Sequence, residues 1–241
     1  MSSNFYYKEK GVHKMKVVDL TLTIHEGMPC FPVSWYPSPK FEDILHVDND
    51  PTNSHRYASK ALLFSHGGTH LDSPKHYAYF DCKETIDIVP VDTLVNDCVW
   101  VHFPDKQNLE PITAEDLEKA TAGKVIEGKT LLITTGYTDR NWEVRDDYFQ
   151  VSPYLAVDAA EWMVAKKIKL VAIDFQTDKP GDASFPVHNE LLSHKIYIQE
   201  YITNVQGLID AEIGDEFIMS IGALKLKDLE ASTCRVFAIK V

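Results

Sequence analysis

The stretch SPYLAVDAAEWMVAKKIKLVAIDF, residues 152–175, contains the change of period that decides the fold class. Its first part, 152–167, has apolar residues at helical spacing, with Ser152 as the expected cap and Pro153 at the first helical position. Its second part, IKLVAIDF (168–175), is nearly continuously apolar, as in a strand buried on both faces. KTLLITTG, at 129–136, reads the same way. Strand, helix and strand therefore follow one another, and an α/β sheet is expected.

Working outward, VNDCVWVHF (95–103), FIMSIGALKL (217–226) and CRVFAIKV (234–241) read as further strands. Thr113 in ITAEDLEKAT is an expected helix cap with acids behind it, and NELLSHKIYIQEYI (189–202) passes from a short helix into a strand. KVVDLTLTI (16–24) is a β-rich opening, and residues 46–55 are turn-like. YASKALLFSH (57–66) reads as a strand running into a histidine-rich segment.

The 241 residues suit one domain over 16–241, with a polar N-terminal extension, 1–15, loosely ordered or packed against a partner subunit. A formal charge of −12 argues against nucleic acid and anionic membrane as partners. Cys30, Cys82, Cys98 and Cys234 are scattered without a CxxC pair, as expected of reduced thiols. There is no apolar run long enough to span a membrane and no apolar centre of a signal peptide, so a cytoplasmic location is expected.

The histidine segment is SHGGTHLDSPKH, residues 65–76. Gly67 and Gly68 disfavour a helix, so a sharp turn is expected near His66. His70 and Asp72, two apart in extended backbone, then share a face. His66, His70 and Asp72 offer imidazoles and a carboxylate suited to Zn²⁺, Mn²⁺ or Fe²⁺. His76 lies four residues beyond Asp72.

The pattern His66-x-Gly68-Thr69-His70-x-Asp72-x-Pro74-x-His76 resembles the HxGTHxDxPxH signature of the metal-dependent cyclase family, which includes bacterial kynurenine formamidase and isatin hydrolase. VVDLTLTIHEGMP, LLITTG, LVAIDF and EASTCRVFAI resemble other segments of that family. The resemblance implies a swivelling β/β/α-type fold, with a mixed, barrel-like sheet flanked by helices. It also implies a homodimer or homotetramer that hydrolyses a small-molecule amide with one or two Zn²⁺, or with Mn²⁺. By the same resemblance His66 and His70 hold one metal and His188 the other, while Asp72 and Glu200 bridge them. His76 is the implied acid/base.

Such a set leaves surplus positive charge beside a carbonyl under attack, and His76 is placed to protonate a leaving amine. Phe31 stands where formamidases carry a substrate-packing tryptophan, with Trp35 close by. Thr69 and Asp174 are candidates for supporting the ligands from behind. The final segment reads EASTC where formamidases have an Asp-Ala-Ser-Pro-like run, which leaves an isatin-like cyclic amide or a lactone open as substrate. An Fe²⁺/2-oxoacid oxygenase could use His70, Asp72 and His188, but leaves His66, His76 and Glu200 unexplained. A non-catalytic metal-binding homologue would have no need of His76.

Overall fold

A computed structural model describes residues 15–46, 51–52, 56–77 and 83–241. The expected extension apart from Met15, most of the 46–55 turn, and Cys82 lie outside the described residues. In chain order the strands are β1 (Lys16–Asp19), β2 (Lys40–Leu45), β3 (Ala58–Leu62), β4 (His70–Asp72), β5 (Val95–His102) and β6 (Pro111–Ile112), then β7 (Thr130–Thr134), β8 (Tyr154–Leu155), β9 (Leu170–Ile173), β10 (Tyr197–Glu200), β11 (Glu216–Ala223) and β12 (Ala231–Lys240). The helices are α1 (Val91–Leu94), α2 (Ala114–Ala120), α3 (Tyr137–Asn141), α4 (Val157–Ala165), α5 (Pro186–Ser193) and α6 (Val205–Asp210). None of these is long and apolar enough to cross a membrane.

Seven strands close into a mixed barrel in the order β12-β11-β5-β7-β9-β10-β4, with β4 pairing back onto β12. The long β12 makes closure possible. One edge bonds to β11, while the other bonds to β4 through Ala231–Thr233 and to β1 through Phe237–Lys240. β5, β7, β9 and β10 run parallel, connected through helices, and the remaining pairings in the barrel are antiparallel.

The apolar runs alternate between two cores. Leu132, Leu170, Ala172 and Cys98 pack with Leu71, Phe217 and Val236 in one. Leu131, Ile133, Val171, Ile173 and Ile198 pack with residues of α2, α4 and α5 in the other. Both faces of the central strands are thus covered, which explains their lack of a polar alternation.

Thr113 caps α2 as expected, in a reciprocal box with Asp116. The expected Ser152 cap is not found. Tyr154 and Leu155 form β8, parallel to β6, and α4 starts only after Ala156. Ser152 Oγ instead accepts the Gln176 N–H and donates to Pro153 O. Strand pairing across the chain outweighs the local helix signal here. The strand expected over 57–66 ends at Leu62, before the histidine turn. It forms a hairpin with β2 in which nearly every residue is exposed.

Asp174, just after β9, closes the turn following β7. Its carboxylate accepts N–H groups of Thr135 at 2.8 Å and Gly136 at 2.6 Å, and Gly136 takes a left-handed φ of 75°. Burial, opposed by those donors, pushes its carboxyl up to about 7. Asp174→Ala would strand two buried N–H groups. A loss of about 2–4 kcal/mol in a urea titration is expected, and an unchanged midpoint would remove this role.

Candidate metal centre

The turn before β4 depends on Gly68, whose φ is +64° and where a Cβ would meet Met28 Cε at 3.3 Å. β4 then turns His70 and Asp72 to one face and Leu71 into the opposite core. The register with β10 sets Glu200 directly across from His70, so the two side chains share that face. Tyr201 ends the strand at φ 56°, its carbonyl accepting Thr69 Oγ1 at 2.7 Å and its ring 5.6 Å from that of His70. A single 3-10 turn, Pro74–His76, brings His76 back against His66, with ring centroids 4.0 Å apart. α5 supplies buried His188 after Phe185, another residue with left-handed φ (47°). The elements that carry Glu200 and His188 are therefore both flanked by non-glycine residues in a conformation costing about 1–2 kcal/mol each.

Asp72 is the centre of the group. Its Oδ1 lies 2.9 Å from His66 Nδ1 and 3.4 Å from His70 Nε2, and its Oδ2 lies 3.7 Å from His188 Nε2. Glu200 Oε2 is 3.4 Å from His70 Nε2, and its Oε1 is 3.8 Å from His188 Nε2. The other nitrogen of each ring faces an acceptor outside the group: Gly68 O at 2.8 Å for His70, Asp178 Oδ2 for His188, and Glu230 Oε1 at 3.2 Å for His66. Among the described residues, His76 has no such acceptor.

The arrangement suits a divalent cation. Among the described residues, His70 Nε2 and both Asp72 oxygens are buried without a hydrogen-bond partner, which is costly unless another group meets them. Two sets among the described residues could hold an ion, His66/Asp72/His76 and His70/Asp72/Glu200, each with donor atoms within 4.8 Å of one another. Asp72 is common to both. The donor types suit Zn²⁺ or Mn²⁺.

The electrostatics show what charge the group lacks. Burial opposes ionisation of Asp72, yet the surrounding His76, His66 and His70 hold its carboxyl well below the usual range. Burial opposes charge on His188 and His66 as well. Asp178, with Asp72 and Glu200, still raises His188 to about 10, and Asp72 with Glu230 raises His66 to about 9. His76 goes the other way, pushed down to about 3 by burial and the neighbouring imidazoles against the pull of Asp72.

His66, His70, Asp72, His76, His188 and Glu200 thus converge from β4, its flanking turns, α5 and β10. Thr69 supports the turn, its hydroxyl accepting the Leu22 N–H at 2.9 Å and donating to Tyr201 O. Asp174 hydrogen-bonds the β7 turn and none of these six side chains, and Asp178, on His188, stands in the supporting place expected for Asp174. Phe31 packs on Phe149, with ring centroids 5.5 Å apart. Trp35 is 69% exposed, and Phe64 and Tyr36 stand between it and His66. The Tyr36 hydroxyl donates to His66 O.

Sequence reasoning missed Asp178 and Glu230. Asp178 also accepts the N–H groups of Val187 and His188, at 2.7 and 3.3 Å, so it caps α5 while orienting its histidine. Asp178→Asn is expected to weaken Zn²⁺ affinity by about 10- to 100-fold, measured by competition with a chromophoric chelator. Equal affinity would make Asp178 only a cap.

The sequence model of the family described as "Putative cyclase" matches residues 18–179. Cyclase-like protein 3 of Oryza sativa subsp. japonica is 28% identical over 232 residues, covering 93% of this chain and 80% of its own length. A kynurenine formamidase of Bacillus anthracis is 27% identical over 179 residues, covering 73% and 77%. The crystal structure of an isatin hydrolase bound to the product analogue thioisatinate superposes with a TM-score of 0.82 at 20% identity, covering 94% of this chain and 92% of that one. The closed mixed barrel, the helices around it and the family match over two thirds of the sequence agree: the chain belongs to the cyclase family.

Proposed function

We propose that the protein is a metal-dependent hydrolase of a non-peptide C–N bond, acting on N-formylkynurenine or a related aryl or cyclic amide. One observation carries this reading: three buried, unpartnered donor atoms on His70 and Asp72 converge beside a histidine that is not tied down. The names of the similar proteins support the bond type, and the family supports the metal.

His66, His70, Asp72, His188 and Glu200 would hold one or two ions, Zn²⁺ or Mn²⁺. A divalent cation supplies Lewis acidity, polarising a carbonyl and making water a better nucleophile at neutral pH. The chain's own groups then orient the ligands and move protons. Asp178, Gly68 O and Glu230 occupy the outer nitrogens of the three ligand histidines, so each offers its inner nitrogen. His76, half-buried beside His66, accepts a proton from the attacking water at a ring nitrogen and returns it to the leaving nitrogen. Water adds across the C–N bond, giving a carboxylate and an amine. Phe64 and Tyr36 on one side, and Tyr77 and Phe185 around His188, provide aromatic walls suited to an aryl substrate.

The test is hydrolysis of N-formyl-L-kynurenine by chelator-stripped protein before and after Zn²⁺ or Mn²⁺ is restored. Turnover that disappears and returns with metal supports the reading. Ring opening of isatin without deformylation would keep the bond type and move the substrate, and inactivity of loaded protein on both would remove the reading.

We also propose a homodimer or homotetramer. The β2–β3 hairpin exposes Phe41, Ile44 and Leu62, and a two-stranded hairpin is at best marginally stable by itself in water. Light scattering is expected to give two or four times the chain mass of 27.3 kDa, and the mass of a single chain would overturn this.

A further inference from the structure

Glu230 stands where the closing strand meets the histidine turn. Pairing of Ala231 with Asp72 and of Thr233 with His70 puts the residue before β12 beside Ser73. Its carbonyl is fixed there by Ser73 N at 2.9 Å and Ser73 Oγ at 2.8 Å. With the backbone so held, the side chain reaches over the turn. Oε1 accepts the Ser65 hydroxyl at 2.7 Å and lies 3.2 Å from His66 Nε2. The opposite nitrogen of that ring, Nδ1, faces Asp72 Oδ1 at 2.9 Å.

A neutral imidazole has one N–H and one lone pair. A carboxylate beside one nitrogen draws the N–H to that side and leaves the lone pair on the other. We propose that Glu230 is a positioning residue for the metal centre, accepting Nε2–H of His66 and so assigning Nδ1 as the ligand atom.

Two further features single it out. The outer acceptor for His70 is a main-chain carbonyl and that for His188 is buried Asp178, whereas the Glu230 side chain is 32% exposed. His66 is therefore the ligand whose orientation depends on a group open to solvent. His66 is also the ring against which His76 stacks, so the same carboxylate positions the proton-transfer group indirectly. Catalysis at saturating metal should then fall along with affinity.

This inference rests on the metal-dependent reading above. The test uses full-length protein labelled with ¹⁵N-histidine and loaded with Zn²⁺, as wild type, Glu230→Gln and Glu230→Ala. Long-range ¹H–¹⁵N spectra report which nitrogen of His66 carries the proton, and chelator competition reports affinity. The expected result is Nε2 protonation in the wild type, with affinity about 10- to 100-fold weaker in Glu230→Ala. Glu230→Gln, whose amide oxygen still accepts, should restore most of it.

Metal on Nε2 in the wild type, or unchanged affinity in Glu230→Ala, would overturn the assignment while leaving the hydrolase reading in place. Wild-type protein that takes up no Zn²⁺ would overturn both. Should Glu230→Ala fail to fold, the Nε2 resonance still decides. It must move between wild type and Glu230→Gln as the acceptor changes from carboxylate to amide, and an unmoved resonance overturns the proposal.

Discussion

Replacing His76 by alanine is expected to lower turnover of an amide substrate by about 10²- to 10⁴-fold while the protein keeps its metal. The expectation follows from the difference between His76 and the other rings. His66, His70 and His188 each have an acceptor on the nitrogen facing away from Asp72, which leaves the facing nitrogen as a ligand. His76 is held by stacking on His66 and by its backbone turn, with a ring free to exchange a proton. The alternative is also geometric, because His76 can complete a three-donor set with His66 and Asp72. Metal content after gel filtration separates the two. Full occupancy with lost turnover makes His76 the acid/base, and metal lost along with activity makes it a ligand.

Stripping the metal is expected to abolish turnover and to lower the melting temperature markedly. An ion at a thousand times its Kd stabilises the folded chain by about 4 kcal/mol. For a protein of this size that corresponds to roughly 8–16 °C. The effect should be large because the cost is already present in the fold: a fully buried carboxylate and His70 Nε2 have no hydrogen-bond partner among the described residues. Asp72→Asn tests where the ion sits, since Asp72 belongs to both candidate donor sets. The variant should melt at one temperature with or without added Zn²⁺, and a wild-type-like shift in it would place the ion elsewhere.

The half of the centre built from neighbouring residues is legible in the sequence, because a period of two and a Gly-Gly turn suffice to set His70 beside Asp72. His188 and Glu200 carry no local signal strong enough to stand alone, and a family resemblance is needed to join them to the rest. Asp178 and Glu230 escape both routes. Their roles arise from contacts across the fold, where an aspartate ten residues before a histidine, or a glutamate opening a strand, reads as ordinary polar sequence. The same limit explains α4. Ser152 and Pro153 have the chemistry of a helix start, but pairing with β6 draws the following residues into a strand. Phe31 shows the converse, since its position in a proline-rich loop says nothing of Phe149, the ring it packs against.

The double pairing of β12 has a consequence for how the protein is made. The N–H of Cys234 reaches back to Thr69 O across 165 residues, and among the described residues β4 has no strand partners other than β10 and β12. Ribosomes add about 5–20 residues per second, so the histidine turn waits roughly 8–33 s for that partner. Contacts of such long range also slow folding once the chain is complete. During that interval the three histidines and Asp72 are exposed to whatever metal the cell offers, with no barrel to impose geometry. Selectivity for the working ion must therefore be exercised after synthesis, when the closing strand has arrived.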